Sequence, residues 1–284
     1  MLLALIGACR PREAAKGTAL AQGPRVVSLV PAITEMLFAV GAGPQVVGVS
    51  SFDKTPAEVA TRPRVGALLD PDLERILSLK PDLVVTYGSQ EALHEQLARA
   101  NIATFTYRHG GIGDTLETLE AIGARTGHAD AGREATQVLR AQLTAVRMRV
   151  DGRPRPKVLL VFGRDPGSLR NVWASGGTGF LHELLDVAGA DNVFADVDRE
   201  NVQATSELLL ARAPEVIVEL QAETHAEESP SPWLTLAGVP AVKSGRIITL
   251  QGDQFVVPGP RLAGAAEALA RALHPDAWST SPGR

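Results

Sequence analysis

The chain has 284 residues, 45% of them hydrophobic and 21% charged, with a net charge of −4 and a single cysteine. That composition supports a packed core of two domains or one large one. It excludes a disordered chain, a basic nucleic-acid footprint, a disulfide framework and a cysteine-rich metal cluster.

The sequence begins MLLALIGA and then Cys9. A short apolar run ending in small residues has the form of the tail of a secretory signal. Leu5-Ile6-Gly7-Ala8-Cys9 looks like a bacterial lipobox, in which the cysteine sulfur takes a diacylglycerol chain. The basic stretch expected before such a run is not part of the sequence; the other reading is a short terminus with one free thiol. Residues 10–24 have no apolar period and read as a tether, so 1–24 form a signal remnant and tether. No apolar run reaches the roughly 18 residues of a membrane span.

Alternating strands and helices follow. Arg25–Val30 is an apolar strand stopped by Pro31, and Glu35–Val40 a helix stopped by Gly41. Strands are expected at Val46–Val49, Leu83–Tyr87 and Ala103–Tyr107, and helices at Asp72–Lys80 and Ala92–Ala100. Residues 129–150 run without proline at helical spacing, a rod of roughly 30 Å. Beyond it, Lys157–Phe162, Glu215–Leu220 and Arg246–Leu250 read as strands. Phe180–Val187, Glu207–Arg212 and Pro260–Leu273 read as helices. Alternation of this kind means parallel βαβ units. The expected organisation is an α/β lobe at 25–128, a linking helix at 129–152, a second α/β lobe at 153–275 and a tail at 276–284. A single helical joint predicts a small closing motion.

The two halves repeat a pattern. Glu35-Met36-Leu37 with Gly41-Ala42 matches Glu183-Leu184-Leu185 with Gly189-Ala190. Glu74-Arg75-Ile76-Leu77 before Pro81 matches Glu207-Leu208-Leu209-Leu210 before Pro214. Glu74 and Glu207 each open a helix, a position that suits the helix dipole whatever else they do.

Chemistry motifs are few. Gly41-Ala42-Gly43 follows a helix and is a helix stop, not a dinucleotide loop. Ser175-Gly176-Gly177-Thr178-Gly179 precedes a helix, as an ordinary helix entry or a ligand-contacting loop with anion-binding amides. No nucleophile elbow and no His-Glu-x-x-His is present, and the six histidines are scattered. His109, at a strand end, is the one best placed for a ligand. The missing catalytic kit favours a binding protein over an enzyme.

Residues 25–35, then Val47–Phe52, then Leu73–Val84, closely resemble the helical-backbone (class III) substrate-binding proteins of ABC importers, the group that carries cobalamin, haem and ferric siderophores. The resemblance covers about residues 25–272. It implies two Rossmann-like α/β lobes joined by one long α-helix, a ligand held between them, and a periplasmic, lipid-anchored location through Cys9. It also implies no cofactor, and docking of Glu74 and Glu207 on arginines of a permease dimer that carries ATPase subunits. Ser50-Ser51-Phe52 and Gly252-Asp253-Gln254-Phe255 are most similar to the cobalamin-binding members. A pocket arginine of those members falls on Val257 here, a pocket tryptophan falls on Asn201, and another has no counterpart near Leu68. The expected ligand walls are Phe52, Tyr87, Tyr107, Trp173 and Phe255, with Arg108, Arg164 and Asp253 as polar ends. Alternatives are haem, with Tyr107 or His109 on the iron, and a ferric siderophore facing Arg108 and Arg164. An enzyme of the metal-cluster oxidoreductase kind would need several cysteine ligands, and only Cys9 is present.

Overall fold

The computed structural model describes residues 23–222 and 231–279. Cys9 and its flanking run lie outside the described residues.

The first lobe runs β1 (Val26–Ser28), α1 (Pro31–Ala39), β2 (Val46–Val49), α2 (Leu73–Ser78), β3 (Leu83–Tyr87), α3 (Glu91–Arg99), β4 (Ala103–Tyr107) and α4 (Ile112–Arg125). Its four strands are parallel, in the order β2-β1-β3-β4. Short runs such as Leu83-Val84-Val85-Thr86 are buried throughout, because helices cover both faces of a parallel sheet. Pro31 starts α1, and Gly41 ends it with φ +86°, a conformation that favours glycine.

α5 (Ala129–Val150) links the lobes. The second lobe contains β5 (Lys157–Gly163), β6 (Val172–Ser175), α6 (Phe180–Val187), β7 (Asp191–Asn192), β8 (Asn201–Ala204), α7 (Ser206–Arg212), β9 (Val216–Gln221), α8 (Pro240–Ser244), β10 (Ile247–Gln251) and α9 (Leu262–Leu273). Strands β7, β5, β9 and β10 are parallel and adjacent in that order. This reproduces β2-β1-β3-β4 of the first lobe, so the repeat in the sequence is a repeat of topology. The expectation of purely parallel lobes fails at β6 and β8, which join the sheet antiparallel. Both are four-residue runs with a single β-branched residue, unlike the valine-rich β2.

α4 is a further element beyond those expected from the sequence. Its Leu116, Leu119 and Ile122 are buried, and it packs along α5. The two helices approach closely: a Cβ on Gly123 would stand 3.0 Å from Gly132 Cα. α5 is therefore more than a rod. Its Leu139, Leu143, Val146 and Val150 belong to one core that runs through both lobes. The tail begins later than expected, since Trp278 is stacked by the guanidinium groups of Arg149 and Arg271 at 5.5 and 5.0 Å.

Candidate binding site between the lobes

In open parallel sheets, ligands sit beyond the carboxyl ends of the strands. In the first lobe those ends deliver Phe52 after β2, Tyr87 at the end of β3, and Tyr107, Arg108 and His109 at the end of β4. In the second they deliver Arg164 after β5 and Asp253 after β10. Trp173 joins them because β6 runs back along β5, setting Trp173 opposite Gly163.

The two carboxyl edges face each other, because residues from both meet. The Phe180 amide donates to the Gly110 carbonyl at 3.1 Å, and His109 stands edge-on to Phe180 at 5.3 Å. His109 in turn meets Tyr107, and Tyr107 meets Tyr87, giving an aromatic chain with centroid spacings of 6.1 and 5.9 Å. The Tyr107 hydroxyl and His109 Nδ1 are 3.3 Å apart. Burial pushes both tyrosine phenols upward, so they stay neutral.

Charge also ties the lobes together. Glu35 of α1 takes two bonds from Arg261, at the start of α9: 2.8 Å from Nε and 2.5 Å from Nη2. The third guanidinium nitrogen, Nη1, donates to Asp253 at 2.7 Å. Burial raises the Glu35 pKa in spite of Arg261, and the Glu35 hydrogen bonds lead in raising that of Arg261. A second tie runs the other way. Glu183 of α6 accepts from the Ile112 amide of α4 at 2.7 Å. Glu35 and Glu183 are the repeat-equivalent glutamates, and each reaches across to the opposite lobe. The sequence shows them as a matched pair; a glutamate inside the apolar turn of α1 was the available sign that a buried partner exists.

Several expected site residues are placed differently by the structure. Phe255 is 2% exposed and belongs to the core, because the short turn 253–255 folds it inward; its neighbour Val256 lines the cleft instead. Tyr107, at 4% exposure, is also a core residue, packed behind Tyr87 and His109 instead of forming a wall. Arg164 is largely buried and its Nε is 2.5 Å from Glu219, so its charge is engaged within the second lobe. Asp253 is engaged by Arg261. Phe52 and Trp173 are exposed at the edges, and so is Arg108. Between the edges lies a pocket of about 160 Å3 lined by His109, Phe162, Phe180, Asn201 and Val256, with Thr178 and Gly179. The amides of Gly176 and Gly177 are bonded to the carbonyls of Glu200 and Val197. A Cβ at either glycine would strike backbone within 2.3 Å. Those glycines serve close backbone packing and not an anion cradle.

Asp53, next to Phe52, was not anticipated. It is 2% exposed, and neither carboxylate oxygen has a hydrogen-bond partner. Burial pushes its pKa up to about 6, and the nearby Thr34, Ser50 backbone and Arg64 offset only part of that. The unfolded chain releases this proton near the ordinary value of 3.8, whereas the folded chain keeps it until about pH 6. The folded state thus binds more protons in that window, and stability falls as pH rises through it. Asp53→Asn is expected to stabilise the protein at pH 7 by about 1–3 kcal/mol and to have little effect near pH 4. Urea midpoints at the two pH values check this; an equal loss at both would refute it.

Comparison with known proteins places these features in context. The family model for periplasmic binding protein matches residues 26–254. A vitamin B12-binding protein of Salmonella typhimurium is 32% identical over 252 residues, 88% of this chain and 90% of the relative. The crystal structure of the periplasmic vitamin B12 binding protein of Vibrio cholerae is similar with TM-score 0.76 and 22% identity, over 91% of this chain and 99% of that one. A periplasmic heme-binding protein from Roseiflexus is similar with TM-score 0.73 and 25% identity, over 90% of this chain and 99% of that one.

Proposed function

The chain belongs to the periplasmic binding protein family, and from that premise we propose that it captures a corrinoid between its lobes and delivers it to an ABC importer. Membership makes it a binding protein and not an enzyme, and implies a periplasmic location. The observation that carries the corrinoid reading is the pair of facing edges furnished with Phe52, Tyr87 and Trp173. A flat, partly apolar macrocycle needs such walls and a few polar groups. The vitamin B12-binding relative adds support.

The pocket between the edges, at about 160 Å3, is smaller than the roughly 300–1,000 Å3 of ordinary ligand sites. The macrocycle therefore lies across the mouth of the cleft, against the exposed faces of Phe52 and Trp173, with Arg108 as a polar end. On this reading Glu74 and Glu207, both exposed in the first turns of α2 and α7, dock on arginines of the permease dimer. A lipid on Cys9 holds the protein near that permease.

Haem is the second reading, favoured by one observation: exposed His109, backed by Tyr107 and Phe180. The raised phenol of Tyr107 makes it a poor iron ligand, so His109 is the axial candidate. The siderophore reading loses Arg164 to Glu219.

Absorption titrations with cobalamin, haemin and a ferric hydroxamate separate the three. Cobalamin is expected to bind at one equivalent. Phe52→Ala and Trp173→Ala should each weaken it by about 2 kcal/mol while thermal stability holds, since both side chains are exposed. Haemin binding that His109→Ala abolishes, without cobalamin binding, would reverse the assignment.

A further inference from the structure

Asp53 weakens the fold at neutral pH and ties no part of it together. Its side chain is buried, and neither carboxylate oxygen has a hydrogen-bond partner among the described residues. The groups around it are committed elsewhere. On α1, the Thr34 hydroxyl donates to Ser28 Oγ at 2.9 Å, and Glu35 is held by Arg261, which also holds Asp253. After β2, exposed Arg64 gives its Nη1 to the backbone carbonyls of Ser50 and Asp53, both at 2.8 Å, and not to the carboxylate. On β3, the neighbouring charge of Asp53 adds to the upward push on the Tyr87 phenol, which stays neutral. A buried charge is ordinarily paired, and departures from such rules gather at functional sites.

The turn after β2 sets this carboxylate under the mouth of the cleft. Ser50 Oγ accepts from the Phe52 amide and the Ser50 carbonyl from the Asp53 amide, each at 3.2 Å. Phe52 is thrown outward, 69% exposed, while Asp53 turns in. Consecutive Cα atoms are about 3.8 Å apart, so a macrocycle resting on Phe52 has Asp53 within about 10 Å. The charges gathered here do not cancel: Glu35, Asp53 and Asp253 stand against Arg261 and Arg64, three against two. Lys54 and Arg108 are exposed, where salt screens them more than it screens a buried carboxylate.

We infer that Asp53 is a charge filter at the mouth of the cleft, admitting macrocycles edged with neutral amides and disfavouring those edged with carboxylates. This rests on the corrinoid reading and deepens it. Corrinoids carry carboxamides around the ring, whereas haem carries propionates. An ionised Asp53 repels a carboxylate edge and leaves an amide edge unopposed, which is specificity obtained by repulsion. Burial holds the Asp53 pKa at about 6, so the filter is charged at neutral pH and opens in acid.

Cyanocobalamin and its monocarboxylic acids, each with one peripheral amide hydrolysed, test this because they differ in that one charge. At pH 7.5 the parent should bind at least one acid isomer about tenfold more weakly than cyanocobalamin, as like charges at this separation require. At pH 5.5 that gap should shrink to about twofold or less, because an exposed ligand carboxyl with its ordinary pKa stays ionised while Asp53 does not. Asp53→Asn should close the gap at both pH values. Asp53→Ser should do the same, which separates the charge from the shape of the side chain. If every acid isomer binds the parent as cyanocobalamin does, or the gap is independent of pH, or it survives in both variants, Asp53 is no filter and the corrinoid reading stands. If cyanocobalamin itself does not bind the parent, the corrinoid reading fails and takes this inference with it.

Discussion

Arg261→Met is expected to cost about 3 kcal/mol of folding stability and to loosen the lobes. Among the described residues, Arg261 is the only cation bonded to Glu35, whose side chain is 6% exposed. Methionine keeps much of the arginine's apolar stem and removes all three nitrogens. Glu35 is then left buried with no counter-charge, and Asp253 loses its partner as well. Breaking one side of a buried pair costs roughly 3–5 kcal/mol; the lower end applies because the guanidinium is 31% exposed. The Glu35 carboxyl, already raised by burial, would rise further without Arg261. The folded variant then holds a proton that the unfolded chain releases, so its deficit should be largest at neutral pH and shrink in acid. Glu35→Gln in the same chain should recover much of the loss. Chemical denaturation of both variants across pH checks each step. A deficit that is independent of pH, or no recovery in the double variant, would show that the Glu35–Arg261 tie is not the source.

The same tie shows where sequence reading reached and where it stopped. The repeat was legible: matched glutamates, glycine stops and Pro-led strands sit at corresponding places because the two lobes share one strand order. The linking helix was legible because 22 residues without a proline, with apolar residues at helical spacing, leave few alternatives. Strands β6 and β8 were not legible, because Val172-Trp173-Ala174-Ser175 and Asn201-Val202-Gln203-Ala204 hold one β-branched residue each, whereas the equally short β2 holds three valines. α4 begins at Gly111-Ile112-Gly113, whose glycines hide an otherwise regular apolar spacing.

The site was legible as an edge but not as a set of contacts. Parallel topology places Tyr87, Tyr107 and Asp253 at strand ends, and the sequence shows the strands. Whether a side chain there faces the cleft or the core depends on the turn that follows. Phe255 turns into the core while Phe52 stays in solvent. Charges are harder still, because partners are distant in sequence: Arg164 and Glu219 are 55 residues apart, and Arg261 and Glu35 are 226 apart. Asp53 gave no sign at all, since an aspartate after a strand is ordinarily a solvated turn residue.

Glu74→Arg combined with Glu207→Arg is expected to reduce uptake to background while leaving the ligand site intact. Both glutamates are exposed, both stand second in their helices, and both helix entries are capped by a side chain: Asp72 accepts from the Arg75 amide and Thr205 from the Leu208 amide. The Glu207 backbone amide and the Thr205 hydroxyl hold the Glu207 carboxyl below its usual range, which favours its ionised form. Two fixed negative charges on opposite lobes can pair with arginines on two permease subunits and set the orientation of the whole molecule. Arginine–carboxylate pairs are among the stronger polar contacts, and complementary charge acts mainly on encounter rate and specificity. Reversal sets like charges against each other at both ends at once, which opposes docking beyond the loss of the pairs. Neither glutamate belongs to the interlobe ties or to the aromatic edge, so cobalamin affinity should be unchanged. Stability should fall only slightly, through the loss of an acidic residue from each first turn. The single variants should lie between, and raised ionic strength should narrow the difference between parent and variant, because exposed charge pairs are screened. Transport assays with the cognate importer, run beside ligand titrations, decide the matter. Normal transport in the double variant, or a parallel loss of ligand binding, would remove Glu74 and Glu207 from the docking surface.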